Sequence, residues 1–145
     1  LCTYRMVRGA LIKNPAILKS AIDEFLRFLS PNQFGNRETA FEVSLSGKKI
    51  PKNTNLHLCI GAANRDPLQF KDPEELIIDR TPNRHLAFAG GAHHCVGFSL
   101  AKMETRIAIG MFLRNFPNYN LISKPRWSRR IRFRGLTHLH ARLER

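Results

Sequence analysis

A mainly α-helical chain with small β-sheets is the fold class this sequence predicts, and three patterns point that way. Residues 14–31 (NPAILKSAIDEFLRFLSP) carry the caps and the period of one helix, and residues 97–116 those of a longer one. Between them the alternating stretches in 38–60 are long enough for one β-ribbon. At 145 residues, with 43% hydrophobic and 24% charged side chains, the chain has the size of one domain and too much apolar content for a disordered one.

In the first helix Asn14 is the N-cap, Pro15 suits the first helical position, and Ser30-Pro31 closes the element. Leu18, Ile22, Phe25 and Leu29 form its apolar stripe, with Lys19 and Asp23 opposite. Glu24 and Arg27 share one side at the border of that stripe, and spacing alone reads them as a surface ion pair worth a few tenths of a kcal/mol.

In the ribbon, Phe41, Val43 and Leu45 alternate, Gly47-Lys48-Lys49 turns the chain, and Leu56, Leu58 and Ile60 alternate again. Cys59 falls on the other side of the second strand and reads as an inert filler. Residues 61–87 hold three prolines (67, 73 and 82) and the polar cluster Asn64-Arg65-Asp66 with little periodicity; an irregular stretch of this length points to function. The helix at 97–116 ends at Pro117-Asn118 and has apolar residues nearly all round: Leu100, Met103, Ile107 and Met111 on one stripe, Ala101, Ala108 and Phe112 on a second, Ile109 and Leu113 on a third. Such a helix expects burial on several sides, more than the other elements here could cover. The chain also starts with Leu and not Met, so the expectation is a portion of a longer protein.

Cysteines are three, Cys2, Cys59 and Cys95, with no CxxC pair, which favours a reducing compartment over a disulfide framework. Residues 1–13 lack the apolar core of a signal peptide, and no apolar run reaches the length of a membrane span; a cytoplasmic location is expected. Net charge is +13, with eight Lys or Arg residues between Lys124 and Arg145 against one acid, Glu144. That balance makes nucleic acid a first suspicion and a solvated basic tail the plain alternative.

The stretch FAGGAHHCVG (88–97) carries the chemistry. Zinc is disfavoured, because the adjacent His93, His94 and Cys95 cannot easily converge on one tetrahedral ion; His138 and His140 share a strand face, but nothing ties them to Cys95. A nucleophilic cysteine gains from the helix N-terminus that follows, which lowers a thiol's pKa, yet no cysteine-protease signature accompanies it. A buried core thiol would be the default for a lone cysteine, but it needs no glycines around it.

The full spacing, Phe88-x-x-Gly91-x-His93-x-Cys95-x-Gly97 followed by Leu100-Ala101, resembles the haem-binding loop of the cytochrome P450 family. The pattern is specific, and its logic is physical: a thiolate reaching iron under a flat macrocycle needs residues without bulk, such as Gly91 and Gly97, beside it. EFLR (24–27) is similar to the family's ExxR motif; NRDP (64–67), DPEELIIDR (72–80) and TPNRHLAF (81–88) resemble its meander; RFRGLTHLHARL (132–143) resembles the closing strands of soluble bacterial members. The resemblance implies a C-terminal part of that fold: K helix, β-ribbon, meander, Cys-ligand loop, L helix and closing β-strands, with residues 1–145 as one partial domain. Ala89 stands where Gly or Ser is usual, Leu76 where Phe is usual and Ile77 where Asp is usual. No A-G-x-x-T stretch and no helix with the oxygen-activating acid–alcohol pair is present in the sequence.

By the same resemblance Cys95 is the axial ligand of haem b (iron protoporphyrin IX), His93 and Arg37 donate to haem propionates, and Phe88 packs beside the ligand. Glu24, Arg27 and Arg80 form a buried structural network, against the surface pair that spacing suggests. The implied reaction inserts one atom of O₂ into a small organic substrate, with electrons from an acidic ferredoxin- or flavodoxin-type partner. No catalytic oxygen-handling residue is expected in this portion, and the isolated chain is expected to be inactive. The alternative is a nucleic-acid-binding module on residues 124–145.

Overall fold

Asn14 caps its helix as the sequence requires: its side chain accepts the Ala16 N–H at 3.2 Å. In this computed structural model, which describes residues 5–144, the first turn, Pro15–Ile17, is a 3₁₀ helix that runs into α2 (Leu18–Leu29). Ser30 closes α2 in the left-handed conformation, φ 41°, its N–H bonded to the Leu26 carbonyl. Cys2 and Arg145 lie outside the described residues.

Before α2 stands a helix that the sequence reading did not identify, α1 (Arg5–Lys13). It offers only Val7 and Leu11 to the interior, and Leu11 joins Leu18, Ala21, Ile22, Leu113 and Tyr119 in the main apolar cluster. The buried face of α2 is Leu18, Ala21, Ile22, Glu24 and Arg27; Leu18 and Ile22 of the anticipated stripe are buried and Phe25 packs against the core, while Leu29 is exposed.

The ribbon is two nested antiparallel hairpins and not one. Strand β1 (Phe34–Glu38) pairs with β4 (Asn55–Cys59), and inside them β2 (Val43–Leu45) pairs with β3 (Lys48–Ile50). The inner turn is Ser46-Gly47, both at positive φ (48° and 76°), which places Lys48 and Lys49 in a strand. Arg37 therefore lies within the first strand and not before it, and Ile60 opens the short helix α3 (Ile60–Ala63). Cys59 is exposed, which corrects its assignment as a filler.

From Asn64 to Ala87 the chain is irregular and is held by side chains. Helix α4 (Phe98–Asn115) follows the loop, and four short strands end the chain: β5 (Asn120–Leu121) with β8 (Ala141–Arg142), and β6 (Arg126–Trp127) with β7 (Leu136–His138). The architecture is mainly α with small two-stranded sheets. Helix α4 packs on α2 and α1 by one side alone: Leu113 is buried, while Leu100, Met103, Ile107 and Met111 are each about half exposed. The expected burial on several sides is not met by this chain's own elements. Among the described residues no helix is long and apolar enough to cross a membrane.

Candidate functional site

Two residues, Val96 and Gly97, separate Cys95 from Phe98, the first residue of α4, and Gly97 is the cap. The loop is tied by its main chain: the Cys95 N–H donates to the Phe88 carbonyl at 2.9 Å, and the Phe98 N–H to the Cys95 carbonyl at 3.3 Å. Gly91 has φ +68°, and a Cβ there would meet nothing within 4 Å, so conformation and not space is what asks for glycine. At Gly97 a Cβ would sit 4.0 Å from the Cys95 Sγ, an ordinary contact distance, so this glycine lies directly beside the sulfur. Ala89 is also left-handed, at φ 62°, which gives a physical reason why glycine suits that position.

The Cys95 thiol is exposed and free, just before the N-terminus of α4. His93 is exposed at the end of a 3₁₀ turn, Gly91–His93, and the His94 ring meets the edge of Phe98 at 4.6 Å. Phe88 is half-buried, 6.3 Å from the Phe98 ring and 6.1 Å from that of His85. Arg37 lies on β1, and its Nη1 donates to the neighbouring Asn36 carbonyl at 2.7 Å. Phe88, Gly91, His93, Cys95 and Gly97 thus share one loop, with Arg37 on a separate element. His138 and His140 stack at 5.8 Å in the closing strands, on a different element from Cys95.

Glu24 and Arg27 are wholly buried. Arg27 donates to both Glu24 carboxylate oxygens at 2.8 Å, and to the carbonyls of Asn64 (2.9 Å), Pro73 (2.8 Å) and Glu75 (2.9 Å). These partners use all five donors of the guanidinium. Arg80 Nε adds a bond to Glu24 Oε2 at 3.0 Å, Asn83 another at 3.1 Å, and the Ile77 N–H donates to Oε1 at 2.9 Å. Because residue 77 contributes its main chain, Ile in place of Asp leaves that bond intact. Burial alone would raise the Glu24 carboxyl, but the Arg27 and Ile77 hydrogen bonds and the Arg27 and Arg80 charges outweigh it and hold it below the usual range. The surface-pair reading from spacing is overturned by the zero exposure of both side chains.

Sequence reasoning missed two residues that fasten the segment before Phe88. Buried Asn64 accepts the Leu86 N–H at 2.7 Å and donates to the Ser30 hydroxyl at 2.8 Å. His85 accepts the Ala87 N–H and faces Asp23, which also pairs with Lys102 at 2.6 Å. Asn64 stood within a polar cluster inside an irregular stretch, which was a usable signal; His85 carried none.

Among the described residues no three His, Cys, Asp or Glu side chains gather to hold a metal ion. A single exposed thiol just before a helix, with the exposed Val96 and Phe98 close to it in the chain, suits a metal carried in a flat apolar macrocycle, which needs one protein donor.

Comparison with known proteins agrees. The Cytochrome P450 family model matches residues 7–120. The chain is 40% identical over 129 residues to a beta-dihydromenaquinone-9 omega-hydroxylase of Mycobacterium tuberculosis, covering 89% of this chain and 26% of that protein. It is 40% identical over 111 residues to a biotin biosynthesis cytochrome P450 of Bacillus subtilis, covering 77% and 28%. The crystal structure of P450BioI in complex with hexadec-9Z-enoic acid ligated acyl carrier protein superposes with a TM-score of 0.96 at 36% identity, over 99% of this chain and 38% of that one. The chain thus spans about a quarter of the length of these curated relatives. With the family model matching more than half of its residues, the chain belongs to the cytochrome P450 family.

Proposed function

We propose that the chain is the haem-ligating C-terminal portion of a haem-thiolate monooxygenase acting on an organic substrate. The observation that carries this is Cys95 itself: an exposed thiol three residues before α4, fixed through its main chain in a glycine-flanked loop. Cys95 would ligate the iron of haem b, with His93 and Arg37 as donors to its propionates and Phe88 packed beside the sulfur. When bound, the haem supplies the activation of O₂ from which one oxygen atom enters the substrate. The chain's own residues have a supporting role. The Glu24–Arg27–Arg80 knot fixes the segment that leads into the loop.

Electrons would come from an acidic ferredoxin- or flavodoxin-type protein in a reducing cytoplasm. A macrocycle has two faces to cover, and this chain offers one, so residues 1–145 alone are expected to show no turnover. The nucleic-acid alternative draws no support from the tail, where Arg134 and Arg132 lie over Trp127 and Phe133 of the same chain.

The test is Cys95→His in the full-length, haem-loaded protein. The red-shifted Soret band of the ferrous–CO complex should be lost while haem is retained. A variant that keeps that band would refute the assignment.

A further inference from the structure

We propose that His85 is a positioning residue for the Cys95 loop: as the neutral Nε2–H tautomer it joins Asp23 to the Ala87 N–H, and its protonation releases the segment that holds Cys95. This rests on Cys95 being the haem ligand.

The tautomer follows from the partners. The Ala87 N–H can only donate, and it points at His85 Nδ1 at 3.2 Å, so Nδ1 holds the lone pair. The ring proton is then on Nε2, 3.3 Å from Asp23 Oδ1. One imidazole thus links α2 to the main chain of the residue before Phe88. The Phe88 carbonyl accepts the Cys95 N–H at 2.9 Å, so the link ends one peptide unit from the cysteine's own tether. A second fastening, Asn64 to the Leu86 N–H, does not titrate. The segment therefore has one fixed anchor and one that a proton can open.

A proton added to His85 lands on Nδ1, where it faces the Ala87 N–H donor to donor, and the bond is lost. The charged groups around the ring are Asp23 and Glu24 from α2, which favour that proton, and Lys102 from α4, which opposes it. Lys102 already occupies Asp23 Oδ1 at 2.6 Å, which weakens the pull of Asp23 on the ring. Burial is the largest influence, and it holds His85 below the ordinary histidine range. A depressed histidine keeps its anchor above that range and loses it as pH falls through the lowered value.

The experiment uses the full-length, haem-loaded protein with amide hydrogen exchange at Ala87 and Cys95, followed across pH and corrected for intrinsic rates. In wild type, protection at both amides should fall roughly tenfold as His85 titrates. His85→Asn, whose side-chain oxygen replaces Nδ1 and does not titrate, should keep protection flat. His85→Leu should be unprotected throughout, and the red-shifted ferrous–CO band should weaken in step with exchange. Protection in wild type that ignores pH, or His85→Asn that titrates like wild type, overturns the proposal. If His85→Leu fails to fold, the other two proteins still decide. Exchange also separates the two readings: a band that survives Cys95→His sinks the ligand assignment, while the exchange profile alone judges His85.

Discussion

The Glu24–Arg27 knot, which gathers residues 64–83, and the Cys95 loop that follows them are built in opposite ways. At the knot both charged side chains are fully buried, and side-chain identity does the holding: five donors of Arg27 find five acceptor positions. At the loop Cys95 and His93 are exposed, and main-chain conformation does the holding, through two left-handed residues and the bond from Cys95 to Phe88. A substitution at the knot therefore removes a charge partner from a dry site. One at the loop changes the cost of a backbone shape.

The comparison would break first at Glu24. Glu24→Ala leaves Arg27, and in part Arg80, without a counter-charge, which should destabilise the full-length protein by about 3–5 kcal/mol. The measurement is soluble yield and haem content, and normal values for both would show that the knot does not behave as a buried network. The pH dependence has a fixed sign. Because the folded carboxyl is held low, its stabilisation is complete above the ordinary glutamate range and is lost as pH falls through the depressed value.

The loop side gives a smaller effect of opposite sign. Ala89 holds φ 62°, where an L-residue costs about 1 kcal/mol relative to glycine. Ala89→Gly should raise the midpoint of denaturant unfolding without changing the slope, by about 1 kcal/mol or less once the entropy of the added glycine is counted. A destabilised variant would mean that the Ala89 methyl makes contacts outweighing its strain.

These contrasts also explain what could be read in advance. Membership of the family was legible because it rests on residue types at fixed spacing, Phe88 to Gly97. Helix α2 was legible from Asn14, Pro15 and Ser30, whose capping is local physics. Helix α1 was missed because Gly9 and the charges of Arg5, Arg8 and Lys13 leave only a thin apolar face, and tertiary packing of Leu11 makes up the difference. The ribbon was misread because the alternation of Phe41, Val43 and Leu45 spans a bend: Phe41 is exposed outside any strand, and β4 pairs instead with Phe34–Glu38. Burial of Glu24 could not follow from spacing, since Arg80, Asn83 and the Ile77 N–H that satisfy it lie more than fifty residues away. The role of His85 was hidden for the same reason, its partner Asp23 being 62 positions earlier.

The smallest effect concerns the surface beside the loop, and the structure sharpens which charge to test. Lys102 and Arg106 follow Cys95 on one side of α4 and, with Lys19, line a small groove of about 280 Å³ floored by Ile22 and Met103. Their charges are not equivalent. Lys102 is compensated by Asp23 at 2.6 Å, and reversing it would also disturb His85. Arg106 is exposed and free of any ion pair among the described residues, so it is the cleaner probe of an approaching acidic electron donor. Rim charges of this kind act on association rate, and salt screens them. Arg106→Glu in the full-length protein should slow haem reduction by such a donor roughly two- to fivefold at low ionic strength, with the gap closing as salt rises. Folding stability should be untouched, because an exposed charge without an ion-pair partner changes it by no more than about 0.5 kcal/mol. Equal reduction rates at low salt would assign the charge of this face to solvation alone.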